Sequence, residues 1–413
     1  MTPPMPAVLL RRSLPIAPEA QPARRHLPLA PNVRPADQVR PIYAVWEITL
    51  RCDLACVHCG SRAGKARPDE LTTAECLALV DQMADLGVLE VTLIGGEAYL
   101  RDDWLEIVRA LRRRGMRATM TTGGLSAERA AAAAQAGLQS VSVSLDGLEE
   151  THDRLRGVRG AYQSALSALG HLRAAGITIA VNTQINRLSM PELPAILETV
   201  IAAGARAWQV QLTAAMGRAA DQPDLLPQPS DLLELFPLLV QLKRRCDQAG
   251  VMLWPGNNIG YFGPYESLLR GTMPRGHMAS CGAGRATLGI EADGAVKGCP
   301  SLQTDPWTGG NLRDDSLRDI WERSAPLRYT RDRTVDDLWG YCRDCYYADT
   351  CRAGCTWTAF SLFGKAGNNP LCHHRALEFQ RQGKRERLVP VAPAPGQPFD
   401  NGRFEIVIEE IPR

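Results

Sequence analysis

The sequence has no run of the roughly 18 or more apolar residues that a membrane span requires. Its start also lacks the charge, apolar run and small-residue cleavage site of an export signal. No internal repeat is found. Charge bias is missing too: 47 Lys+Arg against 45 Asp+Glu leave a net charge of +2, with no electrostatic footprint for nucleic acid or an anionic membrane. Neither is expected as a partner, and the expected localisation is cytoplasmic. With 413 residues and 45% apolar composition, the chain can bury a full-sized core and a second small module.

What the sequence does have is cysteine, twelve in all. In a secreted protein that number would suggest disulfides. Here the cysteines cluster at metal-ligand spacings without an export signal, which favours reduced thiolates on metals.

Residues 1–41 hold roughly a third of the prolines and the pairs Arg11, Arg12 and Arg24, Arg25, with no sustained apolar period. They read as a disordered proline-rich tail. An organelle transit peptide is the alternative, against which the proline density argues, because it spoils an amphipathic helix. From Ile42 onward, short β-rich runs alternate with helical patterns. The strand candidates are Ala44–Thr49, Glu90–Ile94, Arg117–Thr121, Ser140–Ser144, Thr178–Thr183 and Ala207–Leu212. Thr72 and Glu75 have capping-box spacing, followed by an apolar face of Leu77, Val80 and Leu86. Strand–helix alternation implies an α/β fold with a parallel sheet and right-handed crossovers. Six units suggest a partial (β/α)6 TIM-like barrel over residues 42–255. A domain boundary is expected between about 255 and 280, where composition turns to cysteine, glycine and aromatic residues. Residues 386–413 read as a linker, proline-rich over Val389–Pro398, and a C-terminal extension with a strand near Phe404–Ile408.

Cys52, Cys56 and Cys59 fall in the loop after the first strand candidate, on the face where barrels of this type carry their chemistry. Three close thiolates fit a cubane of four irons with one iron left open to chelate a substrate. The bland alternative is a zinc site completed by His58, although zinc knuckles pair two couples across a longer loop.

The spacing C-x3-C-x2-C in this position resembles the radical S-adenosylmethionine superfamily. Gly95, Gly96 and Glu97 end the second strand like that family's GGE motif, and Ser144-Leu145-Asp146-Gly147 with His152-Asp153-Arg154-Leu155-Arg156 resembles its SLDG…HDxxR stretch. The resemblance implies S-adenosylmethionine contacts at His58 (adenine, through the backbone), Gly95, Gly96 and Glu97 (methionine ammonium), Ser144 (ribose), Arg156 (methionine carboxylate) and Leu212 (adenine). Asn182 is a further candidate, weighed equally against a satisfied core amide. Thr122-Gly123-Gly124 departs from the Thr-Asn-Gly common after the third strand in that family.

Cys281, Gly294, Cys299, Cys342, Cys345, Cys351, Cys355 and Cys372 reproduce the order and spacing of the family's SPASM extension, expected over residues 256–385. Two structural zinc sites are the alternative. The resemblance implies two auxiliary [4Fe-4S] clusters beside the radical SAM [4Fe-4S] cluster: Cys281, Cys299 and Cys355 for the first, and Cys342, Cys345, Cys351 and Cys372 for the second. The position of an eighth cysteine in some relatives is Arg275, so His277 or Cys246 could complete the first set, and the sequence does not decide between them. Cys246 and Cys76 otherwise read as ordinary helix cysteines.

The resemblance further implies a 5′-deoxyadenosyl radical that abstracts hydrogen from a C–H bond, with an external one-electron donor such as flavodoxin or ferredoxin. An oxidative modification of a ribosomally made precursor peptide, by thioether or carbon–carbon cross-linking, is the leading expectation. The tail before Ile42 is too short for a leader-gripping module, so a separate leader-peptide-binding protein is an expected partner. Sulfatase maturation is disfavoured because Pro300 stands where such relatives have an aspartate. A dehydrogenase of a small metabolite and a non-catalytic iron–sulfur electron carrier are the competing readings.

Overall fold

The structure, a computed structural model, describes residues 39–260, 262–270 and 281–411. The proline-rich N-terminal segment up to residue 38, Arg275 and His277 lie outside the described residues.

Seven strands alternate with helices: β1 (Tyr43–Thr49), α1 (Thr73–Leu86), β2 (Glu90–Gly95), α2 (Trp104–Arg113), β3 (Arg117–Thr122), α3 (Ala127–Ala136), β4 (Ser140–Ser144), α4 (Glu149–Arg156), α5 (Ala161–Ala174), β5 (Thr178–Ile185), α6 (Leu193–Ala202), β6 (Ala207–Leu212), α7 (Leu232–Ala249) and β7 (Met252–Pro255). The six strands expected from sequence are present with ends within two residues. α1 starts on the expected capping box: Thr72 Oγ1 accepts from Glu75 N at 3.3 Å, and the Glu75 carboxylate accepts from Thr72 N at 2.7 Å.

The strands lie parallel in the order of the chain, as right-handed crossovers dictate. The sheet does not stop at the six expected strands. β7 adds beyond β6, and β8 (Thr287–Ile290), from the cysteine-rich stretch, pairs parallel to β1; β9 (Ala295–Lys297) and β10 (Thr308–Asn311) extend it antiparallel. The cysteine-rich part is thereby hydrogen-bonded into the barrel's sheet.

Alternation along each strand divides the sheet into two faces. Trp46 and Ile48, Val91 and Leu93, Val141 and Val143, and Trp208 and Val210 join the helices' apolar faces in one buried core. The other face is polar: Thr92 and Thr119 hydroxyls lie 2.7 Å apart, and Tyr43 Oη is 2.8 Å from Thr92. A polar concave face is what lines a cavity rather than a core.

The expected linker is a strand. β11 (Lys384–Ala392) pairs antiparallel with β12 (Arg403–Glu410), and its register shifts between Pro390 and Ala392. A two-stranded hairpin tolerates a proline that lacks a ladder donor, which is why composition misled there. Arg375 clamps the hairpin through two 2.6 Å bonds to the buried Glu386 carboxylate. The loop between β11 and β12 returns to the barrel, where Asp400 accepts from Arg62 Nε at 2.8 Å and Phe399 is buried.

Candidate active site

Three cysteines in a short irregular loop need a frame, and the end of β2 supplies it. Gly96 N donates to Thr49 O at 2.9 Å, and Glu97 N to Arg51 O at 2.8 Å. A Cβ on Gly95 would stand 2.2 Å from Thr49 O, and one on Gly96 would stand 2.1 Å from Arg51 O and 2.6 Å from the Cys52 Cβ. The close approach that these glycines permit is thus to the chain's own cysteine loop.

Cys52, Cys56 and Cys59 line a cavity of about 230 Å³ together with His58, Gly95, Gly96, Glu97, Ser144 and Arg156. Six of the eight expected contact residues are therefore brought together around it. Asn182 and Leu212 are not among its walls. The cavity takes Gln184 from β5, one pleat beyond Asn182. Leu212 is fully buried in the core between sheet and helices, while its neighbour Gln211 faces the concave side. The Leu212 side chain therefore faces away from the cavity, because a one-residue step along a strand reverses the face.

Glu97 is buried, and both its oxygens are engaged at 2.6 Å, by Thr122 Oγ1 and by Gly123 N. Burial pushes its carboxyl up to about 7, against the lowering effect of those two donors. A Cβ at 123 would lie 2.5 Å from Leu54 Cδ1, the movable end of a side chain, and 3.0 Å from Glu97 Oε1.

Sequence reasoning gave no role to Asp146, which organises the opposite wall. Fully buried, it accepts from His58 Nε2 at 3.0 Å, from Arg156 Nη2, and from Gln184 N at 2.7 Å. Burial works to raise its pKa, but Arg156 and His58 outweigh that and hold it below the usual carboxylate range. His152 Nδ1 accepts from Asp146 N at 3.0 Å, and burial keeps the ring neutral, its pKa lowered to about 4. Gln184 and Gln211 had a usable signal: in both strands glutamine alternates with apolar residues.

Two further cavities hold the seven cysteines from Cys281 onward. One, of about 140 Å³, is lined by Cys281, Cys299 and Cys355. The other is lined by Cys342, Cys345, Cys351 and Cys372 over the stacked rings of Phe262 and Tyr347, 4.6 Å apart. The grouping matches the interleaved division expected from sequence. Cys246 does not reach the first of them: it is fully buried in the core on α7, so its expected alternative role as the missing ligand is set aside.

These residues fit iron–sulfur clusters. Burial raises Cys52 and Cys355 to about 12 and Cys299 to about 11. Such thiols keep their protons unless a metal displaces them. Among the described residues no three His, Cys, Asp or Glu converge on a point for one ion; the thiols instead ring cavities, as ligands to different irons of one cluster would. For S-adenosylmethionine, the fit is the pair of buried polar atoms without partners at the cavity, His58 Nδ1 and Arg156 Nε. Arg156 Nη2 is already spent on Asp146, so the guanidinium keeps only part of its fork for a ligand.

A fourth cavity, a chamber of about 190 Å³, lies between the first two sites. It shares His58, Gly95 and Gln184 with the Cys52 cavity, and Gln211, Ser301 and Trp357 with the Cys281 cavity.

Residues 46–198 match the family model described as the radical SAM superfamily, and residues 281–346 match SPASM, an iron–sulfur cluster-binding domain. An AdoMet-dependent heme synthase of Methanosarcina barkeri is 30% identical, over 81% of this chain and 97% of its own length. The mycofactocin maturase MftC of Mycolicibacterium smegmatis is 31% identical, over 78% of this chain and 79% of its own. Among solved structures, Streptococcus suis SuiB bound to S-adenosylmethionine shares the fold with a TM-score of 0.62 at 17% identity, covering 81% of this chain and 76% of that one.

Proposed function

From a chain that belongs to the radical S-adenosylmethionine superfamily and carries its SPASM iron–sulfur domain, we infer a radical enzyme that oxidatively modifies a ribosomally made peptide. The observation that carries this reading is the chamber between two cysteine-lined cavities, with walls in common with both. A reacting carbon held there has the radical source on one side and an electron acceptor on the other.

Cys52, Cys56 and Cys59 would hold the cluster that binds S-adenosylmethionine. Cys281, Cys299 and Cys355 would hold a first auxiliary cluster, and Cys342, Cys345, Cys351 and Cys372 a second. With one electron from an external donor such as flavodoxin or ferredoxin, the bound cofactor supplies a 5′-deoxyadenosyl radical. Gly95, Gly96 and Glu97 would receive the methionine ammonium; Glu97 has acceptor lone pairs left beyond Thr122 and Gly123. Arg156, fixed by Asp146, would turn its free Nε to the methionine carboxylate. Ser144 would face the ribose and the His58 backbone the adenine. Buried walls of Trp357, Met216 and Phe399 exclude water from the chamber, which protects a reactive carbon from quenching.

The maturase and peptide cyclase relatives favour a peptide. The heme synthase relatives favour a second reading, oxidation of a small molecule. The discriminating experiment uses anaerobically reconstituted full-length protein with S-adenosylmethionine and dithionite. Synthetic peptides encoded by short reading frames beside the gene are added, with and without any adjoining leader-binding protein. Loss of two hydrogens from a peptide, mapped by tandem mass spectrometry, supports the reading; oxidation of a small metabolite with every peptide unchanged overturns it.

A further inference from the structure

Among the described residues the chamber has one carboxylate in its wall, Glu47 on the polar face of β1, and neither cofactor motif uses it. Forming a bond at a carbon radical from a substrate X–H releases a proton as well as an electron. We propose that Glu47 is the proton acceptor of the chamber, receiving the X–H proton as the new bond forms. This rests on the oxidative reading above.

The step balances as follows. The 5′-deoxyadenosyl radical takes one hydrogen atom from a substrate C–H and leaves as 5′-deoxyadenosine. The carbon radical bonds to the carbon, nitrogen or sulfur of X–H; the proton goes to Glu47, and the surplus electron to an oxidised iron–sulfur cluster as one-electron acceptor.

Three observations support the assignment. Glu47 is 2% exposed yet lines the chamber, and among the described residues its hydrogen bonds fall on Oε1, from Arg67 Nη2 at 3.2 Å, Arg67 Nε at 3.3 Å and Ala292 N at 3.5 Å. Oε2 remains for the substrate. Secondly, the charges around it leave an acid over. Arg67 is shared with Glu291 at 2.8 Å and Asp293 at 3.6 Å, and the fully buried Lys297 is bound to Glu291 at 2.5 Å. Glu70, on the Arg67 loop, spends its carboxylate on Leu50 N and the Thr49 hydroxyl. Two cations thus serve at least three carboxylates. Glu291 is saturated by Arg67, Lys297 and Thr304, so the surplus falls on the carboxylate facing the chamber. Burial, with Glu291 adding to it, pushes Glu47 up to about 7 despite Arg67 and Lys297, near the operating pH where a general base works best. Thirdly, among the described residues the other wall offers no acid: Pro300 and Ser301 face the chamber from the cysteine-rich side, and the one other titratable wall residue described, His58, is tied to Asp146.

The test compares full-length wild type, Glu47→Gln and Glu47→Asp. Infrared spectra of the unloaded proteins are recorded across neutral pH, and turnover is measured with the synthetic peptides encoded beside the gene. The expected spectrum has two carboxylic-acid C=O bands that titrate near neutrality, from Glu47 and Glu97, and one of them is missing in Glu47→Gln. In turnover, product formed per 5′-deoxyadenosine should fall about 100-fold in Glu47→Gln, the lower end of the general-base range, and recover in part in Glu47→Asp. The wild-type ratio should rise with pH through neutrality, as Glu47 loses its proton, and the variant should be flat. If no peptide is modified but the band is present and assigned, the proton site stands and the peptide reading fails. Absence of a Glu47 band, or an unchanged ratio and pH profile in Glu47→Gln, overturns the proposal. So does equal loss of 5′-deoxyadenosine and product, which would make Glu47 structural only.

Discussion

Asp146→Asn tests the wall that fixes Arg156. The carboxylate takes donors on both oxygens: His58 Nε2 and Arg156 Nη2 on Oδ2, and Gln184 N on Oδ1. An amide of the same shape has one acceptor oxygen, so its NH2 must face a donor whichever way it turns. The exchange also leaves a buried guanidinium without its counter-charge. Removing one partner of a buried ion pair costs about 3–5 kcal/mol, and the lost Gln184 or His58 bond falls within that figure. Urea denaturation of wild type and variant, followed by circular dichroism, should show a loss of this size. The pH dependence has a definite sign. Asp146 has a folded pKa below its unfolded one, so its stabilisation is fully present above the ordinary carboxylate value of about 4 and disappears as pH falls through the depressed value. The gap between the proteins should therefore be constant from about pH 5 upward and close only in strong acid. Calorimetric titration of the reconstituted proteins should also show S-adenosylmethionine binding weakened at least tenfold, since Arg156 is no longer held. A stability loss under about 0.5 kcal/mol, in the range of a plain surface substitution, together with unchanged cofactor affinity would refute the reasoning.

Gly96→Ala should displace the cysteine loop, because its Cβ would stand 2.1 Å from Arg51 O; the expected cost is about 1–3 kcal/mol, with iron bound at the first site reduced in a colorimetric assay. Arg375→Met should cost about 3–5 kcal/mol by stranding the buried Glu386 carboxylate, read by denaturation, and should loosen the β11–β12 hairpin in hydrogen exchange. Cys345→Ala should remove about four of about twelve irons and stop substrate turnover while 5′-deoxyadenosine still forms, as liquid chromatography would show.

Much of this site was legible in the sequence because thiolates and strands leave strong local marks. The cysteine spacings marked two fields before any coordinates, the resemblance divided the second into two sets, and β4 and β6 were found at their observed ends. What stayed hidden depended on contacts distant in sequence. β8 is four residues long and contains Gly289, so only its pairing with β1 reveals it as a strand. Leu212 was chosen by its place at a strand end, whereas strand alternation turns Gln211 to the chamber; Asn182 shares its face with Gln184, which stands one pleat nearer the cavities. Glu47 lies in the middle of an apolar strand, and its meaning comes from Arg67, Glu291 and Lys297, the last 250 residues further on in the chain.

The central claim is that Cys52, Cys56 and Cys59 hold the cluster that starts the radical chemistry. It is tested most directly by incubating anaerobically reconstituted wild type and Cys56→Ala with S-adenosylmethionine and dithionite and measuring 5′-deoxyadenosine. The account predicts that product from wild type and none above background from the variant; equal formation by both proteins would contradict it.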